Sequence, residues 1–130
     1  MDIGIQVIRM ILSGIFEKYP NLKLISGHWG ELVPFFLERM DSIMTPEVTG
    51  LSQPISKIYK QHVYITPSGI QSYKLLDFVK SEVGIKHLLY STDYPYIKPD
   101  NAGSFIKNSD LTKKNQKRFA YKNAQKLLHL

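Results

Sequence analysis

Cysteine is absent from the sequence. That removes disulfide frameworks, thiolate zinc sites and thiol nucleophiles, and it fits a reducing compartment. Long apolar runs are missing too. The N-terminal stretch is interrupted by Asp2, Gln6, Arg9, Ser13 and Glu17, so no segment reads as a membrane span. The start also lacks the basic flank and small-residue cleavage site of a secretory leader. The expectation is a cytoplasmic protein with no membrane partner. There is no glycine-rich phosphate loop, no histidine pair at metal-ligand spacing, no internal repeat and no low-complexity tract. No acidic residue lies beyond Asp110.

What is present suffices for one domain. The chain has 130 residues, 43% of them hydrophobic, so it has the apolar content for a packed core. The net charge is +6, and it is localised. Lys113, Lys114, Lys117, Arg118, Lys122 and Lys126 carry the excess, while residues 1–110 hold eleven basic and eleven acidic side chains. Lys114, Arg118, Lys122 and Lys126 recur every four residues, which makes one cationic stripe. An exposed helix face is usually charged and no recognition motif accompanies this one, so nucleic acid is not an expected partner.

Apolar periodicity predicts a largely buried helix over 3–18, stopped by "YPN" at 19–21. "LKLIS" (22–26) reads as a strand. A second helix is expected from Glu31 to Met44, with Pro34 in its first turn and Val33, Phe36, Leu37, Met40 and Met44 on its apolar face. Residues 45–61 read as a loop with a short helix near Ile55 to Lys60. "HVYIT" (62–66) is a second strand. Ser72 to Val83 forms a helix with Leu75, Leu76 and Val79 inward, and "HLLYS" (87–91) is a third strand. After a loop and a short helix at 103–108, Thr112 caps a last helix reaching His129. Its apolar face is Phe119, Ala120, Ala124, Leu127 and Leu128. Strands separated by helices imply a parallel α/β sheet with right-handed crossovers.

In such folds functional groups gather where strands end and helices begin. The three junctions are Gly27-His28-Trp29-Gly30-Glu31, Thr66-Pro67-Ser68-Gly69 and Ser91-Thr92-Asp93-Tyr94-Pro95. Parallel strands would place all three on one sheet edge, where His28 and Asp93 converge. An imidazole and a carboxylate at one mouth suit acid–base catalysis or a metal site. Each also has a plainer reading: His28 as a hydrogen-bonded turn residue, Asp93 as the cap of the turn before Pro95. Ser68 lacks a nucleophile-elbow context, which weighs against a Ser68–His28–Asp93 triad. His62, His87 and His129 sit at strand starts or in the last turn and read as structural or solvent-exposed.

"LSGIFEKYPNLKLISGHWGELVPFFLERMD", "VYITPSG", "HLLYSTDYPY" and "NAQKLL" together resemble the C-terminal part of the amidohydrolase-related family. These are metal-dependent hydrolases and non-oxidative decarboxylases, including the aminocarboxymuconate-semialdehyde and resorcylate decarboxylases. The resemblance implies a partial (β/α)₈ barrel, its last three βα units, in a single truncated domain over 1–130. It implies His28 as the acid–base histidine, Glu31 as the carboxylate that holds it and Asp93 as the ligand of a divalent metal, with zinc as the first choice. It implies Arg39 as a substrate-carboxylate contact reaching a neighbouring subunit, and a small carboxylated substrate. The family's N-terminal ligand pair and its mid-barrel histidine are absent, and a whole barrel needs ~250 residues. The chain by itself is therefore expected to be inactive and to hold metal poorly, and to act as the C-terminal portion of such an enzyme. The partner is then a complementing N-terminal half or a second copy. The alternative is a degenerate half-barrel serving as a non-catalytic interaction or dimerisation module, with an open strand edge near Leu24.

Overall fold

A computed structural model describes residues 2–98 and 100–130; the loop expected after the third strand includes Pro99, outside the described residues. The chain forms two compact units, one from Met1–Ser26 and Gly30–Tyr64, the other from Gly27–Trp29 and Ile65–Leu130.

In the first unit the N-terminal stripe folds as helix α1 (Asp2–Leu12), burying Val7 and Ile11 while Ile3 and Ile5 stay exposed. The single helix expected over 3–18 is broken. Gly14 takes a left-handed φ of 78°, a conformation natural to glycine, and the chain restarts as α2 (Ile15–Lys18) around buried Phe16. Strand β1 is Leu24–Ser26, and α3 is Val33–Ile43 with Pro34 in its first turn. Val33 and Leu37 are buried, but Phe36, expected inward, is 45% exposed. A one-turn helix α4 (Pro46–Thr49), not expected, starts at an extended Thr45 and ends on a left-handed Gly50. Helix α5 (Ile55–His62) buries Ile55, Ile58, Tyr59 and His62, a three- and four-residue spacing that defines its core face. His62 ends this helix instead of opening a strand. Its Nδ1 lies 2.8 Å from the Leu22 carbonyl and its ring 4.7 Å from that of Phe16, so its role is structural.

Strand β2 is Val63–Ile65, and it pairs with β1 in a two-stranded parallel sheet. In the second unit Ile65 makes a parallel bridge to Leu88 and its carbonyl accepts the Leu89 N–H at 2.9 Å. The third strand expected over 87–91 is reduced to this bridge. Residues Ile85–His87 form a 3₁₀ turn, and two of the segment's backbone groups bond to the C-terminal helical segment instead of to a strand. Asn123 Nδ2 donates to the Leu88 carbonyl at 2.9 Å, and the Tyr90 N–H donates to the Phe119 carbonyl at 3.1 Å.

Helix α6 (Tyr73–Val83) is capped as expected, with Ser72 Oγ accepting the Leu75 N–H at 3.3 Å. Leu76 and Val79 are buried, whereas Leu75, expected inward, is exposed. Helix α7 (Ala102–Lys107) buries Phe105 and Ile106. Thr112 Oγ1 accepts the Asn115 N–H and opens α8 (Lys113–Lys117). A π turn at Arg118–Lys122 then leads into α9 (Asn123–Leu128). The wide turn fixes the inward register on Phe119 and Asn123, which leaves Ala120 and Leu128, expected on the apolar face, exposed. Among the described residues no helix is long and apolar enough to cross a membrane.

Candidate active site

The expected convergence occurs within the second unit. His28 Nε2 lies 3.8 Å from Asp93 Oδ2, with the two side chains 42% and 33% exposed. That is ion-pair range and longer than a hydrogen bond. Both groups are accessible to a ligand, and neither plainer reading holds. The His28 ring has no hydrogen bond to the described residues. The turn before Pro95 is closed by the Asp93 backbone carbonyl, which accepts the Ile97 N–H at 3.1 Å, and not by its carboxylate.

The backbone around the histidine is unusual. His28, Trp29, Gly30 and Glu31 have φ of 51°, 55°, 72° and 54°, four consecutive left-handed residues. Only the glycine adopts this region without penalty; each other residue costs roughly 1–2 kcal/mol. Ser68 (φ 47°) and Asp93 (φ 61°) are left-handed as well, so strained non-glycine residues mark all three strand-end junctions. Strain concentrated in this way is typical of sites that need a fixed side-chain direction.

Trp29, the sole tryptophan, anchors the turn. It is 2% exposed, its N–H donates to the Thr66 carbonyl at 2.8 Å and its indole Nε1 donates to the Ile70 carbonyl at 2.8 Å. These bonds tie the first junction to the segment after β2. Ser68 is buried, with Oγ 3.0 Å from Thr66 Oγ1 and none of its hydrogen bonds to His28, which rules out the triad arrangement in this geometry.

Glu31 and Arg39 belong to the first unit. Glu31 Oε2 accepts the Gly4 N–H at 2.8 Å, placing a carboxylate on the first turn of α1 where unpaired N–H groups and the helix dipole favour it. Arg39 is exposed on α3. Gly30 is required there twice over: its φ is left-handed, and a Cβ would lie 2.7 Å from the Tyr59 hydroxyl and 3.0 Å from the Pro34 ring.

Among the described residues no three His, Asp or Glu groups converge on a metal position. His28 and Asp93 supply two donors where a metal centre ordinarily takes three protein ligands and water. The donors among the described residues do not make a complete metal site.

The left-handed run, the Trp29 anchor and the Ser68 cluster were not foreseen from sequence. The signal available was the pair of glycines flanking His28-Trp29.

The amidohydrolase family profile matches residues 3–130. A Staphylococcus aureus structure described as an amidohydrolase superposes with a TM-score of 0.93 at 47% identity, over 98% of this chain and 41% of that one. The gamma-resorcylate decarboxylase of Polaromonas sp. strain JS666 is 31% identical over 134 residues, covering 99% of this chain and 41% of its own length. A dihydroxybenzoic acid decarboxylase structure from Polaromonas sp. JS666, with bound manganese and the inhibitor 2-nitroresorcinol, has a TM-score of 0.90 at 30% identity, over 98% of this chain and 40% of that one. The chain spans about two fifths of the length of the curated relatives it matches.

Proposed function

The chain belongs to the amidohydrolase family, and we propose that it supplies the acid–base side of a decarboxylase active site, as the last three βα units of a barrel in one truncated domain. The substrate class is a small carboxylated aromatic, by likeness to the resorcylate and dihydroxybenzoic acid decarboxylases. The observation that carries this reading is the approach of His28 Nε2 to Asp93 Oδ2 at two strained strand ends.

Non-oxidative decarboxylation breaks one C–C bond. CO₂ leaves, and the bonding electron pair stays on the carbon that bore the carboxylate, which then takes a proton. His28 Nε2 holds and delivers that proton, and its strained backbone fixes the ring's direction. Asp93 faces the same ring nitrogen and orients it. Trp29, buried beside the histidine in sequence and bonded to the Thr66 and Ile70 carbonyls, anchors the turn that carries it. Glu31 holds the downstream end of the turn through α1, and Arg39 binds a carboxylate, in the arrangement the resemblance implies, of a substrate in a neighbouring subunit. The Polaromonas structure holds manganese, which supports a divalent metal for the complete site, with zinc the choice expected from sequence. Asp93 is the metal donor the described residues would contribute.

The test is CO₂ release from 2,6-dihydroxybenzoate by this chain with the complementing N-terminal half and manganese supplied. The double variant His28→Ala, Asp93→Ala should lose turnover; undiminished activity in that variant would sink the reading.

A second reading, a non-catalytic pairing module, is favoured by a different observation. Ile5, Leu32 and Phe36 border an apolar groove of about 390 Å³ between α1 and α3, with Phe35, 68% exposed, next to it. Exposed apolar patches of this kind mark interaction sites. Sedimentation of the metal-free protein separates the two: a stable dimer with no turnover in any metal supports pairing, and a monomer opposes it.

A further inference from the structure

We propose that Ser68 is a positioning residue that sets the His28–Asp93 geometry from behind, through one contact to each arm. The inference rests on the reading of His28 and Asp93 as the reactive pair.

Ser68 is 8% exposed and held at a left-handed φ of 47°. A buried serine in a strained conformation needs its polar groups engaged, and they are. Its hydroxyl lies 3.0 Å from Thr66 Oγ1. Its N–H donates to Ser91 Oγ at 3.2 Å, two residues before Asp93, and the adjoining Gly69 N–H donates to the Ser91 carbonyl at 3.2 Å. On the other arm, Ser68 Oγ occupies the space a side chain at position 27 would need. A Cβ built on Gly27 would lie 2.7 Å from that hydroxyl, but 3.8 Å from the Ser68 Cβ. The serine hydroxyl is thus wedged against the residue before His28, while the serine N–H is tied to the segment leading into Asp93. Thr66 ties the same hydroxyl to the end of β2, whose next carbonyl partner is the Trp29 N–H.

These distances define a two-residue test. Gly27→Ala should be disruptive in the wild-type background, because the new methyl group meets Ser68 Oγ. It should be tolerated with Ser68→Ala, where the nearest remaining atom is an ordinary van der Waals neighbour. Two readouts report on the site without using activity, so they stand or fall separately from the decarboxylase reading. One is acrylamide quenching of Trp29. The other is the change in the His28 ring NMR signal produced by Asp93→Asn at one fixed pH. Ser68→Ala should at least double Trp29 quenching and cut the His28 response to Asp93→Asn by half or more, with unchanged far-ultraviolet circular dichroism. Gly27→Ala alone should abolish the response, and the Gly27→Ala, Ser68→Ala pair should recover the level of Ser68→Ala. Should Ser68→Ala not fold, Thr66→Val removes the partner hydroxyl while keeping the side-chain shape, and the same two signals are expected to move in the same direction. Unchanged quenching and an unchanged His28 response in the serine or threonine variant would overturn the proposal. So would a Gly27→Ala variant as well behaved with Ser68 as without it.

Discussion

His28→Gly should make the protein more stable while removing its reactive group. His28 sits at φ 51°, within a run of four left-handed residues, three of which bear side chains. A left-handed non-glycine residue costs roughly 1–2 kcal/mol, and glycine occupies the region freely. Against this gain stand three losses. The imidazole is 42% exposed, so little apolar burial is lost. The ion pair to Asp93 is long and partly exposed, worth at most about 1 kcal/mol and less when the histidine is neutral. Glycine also adds freedom to the unfolded chain, which offsets some tenths. Measured in an Asp93→Asn background, where the ion pair is already gone, the net is about 1 kcal/mol of stabilisation, or about 4 °C in Tm for a chain of this length. Thermal unfolding followed by circular dichroism reads it directly. A Tm for Asp93→Asn, His28→Gly at or below that of Asp93→Asn would refute the claim that the turn is held in strain at this residue.

Gly30→Ala should fail in the opposite sense, losing roughly 2–4 kcal/mol by chemical denaturation, because left-handed strain adds to contacts at 2.7 Å and 3.0 Å. Asn123→Ala should cost about 2–3 kcal/mol in the same assay: its amide donates to the Ile85 and Leu88 carbonyls at 2.7 and 2.9 Å, and both would be left without that donor. The Glu17 carboxylate is held below its ordinary pKa by the Ser52 hydroxyl and by the Ser52 N–H. A depressed carboxylate stabilises the fold above its unfolded pKa and loses that contribution as pH falls through the folded value. Glu17→Gln should therefore lower Tm at neutral pH and leave it little changed at acid pH, so that the acid limb of the Tm-versus-pH curve flattens.

The legible parts of the fold were those governed by local chemistry. Ser72 and Thr112 announce helix starts because a short hydroxyl can accept the orphan N–H three residues on. The convergence of His28 and Asp93 was expected from alternating elements alone, and the two side chains lie 3.8 Å apart although the strand before Asp93 is only a bridge. What escaped was set by tertiary context. "HLLYS" has every mark of a strand, yet Asn123 and Phe119 take up the backbone groups a longer ladder would use. The π turn at 118–122 decides which of Phe119 and Ala120 faces in, and no residue type signals it. Phe36 and Leu75 have helical spacing to their neighbours but fall beside, not under, the buried stripe. Backbone sign at 28–31 is invisible except at Gly30, since His, Trp and Glu ordinarily avoid positive φ.

The central claim is that His28 moves the proton of the reaction. It is tested most directly by kcat and KM for 2,6-dihydroxybenzoate, with the complementing N-terminal half supplied, in His28→Gln, which keeps a polar side chain of similar reach but cannot act as acid or base. The expected result is a fall in kcat of about 10²–10⁴-fold with KM little changed, the signature of a lost general acid. A kcat within a few-fold of the parent would contradict the account.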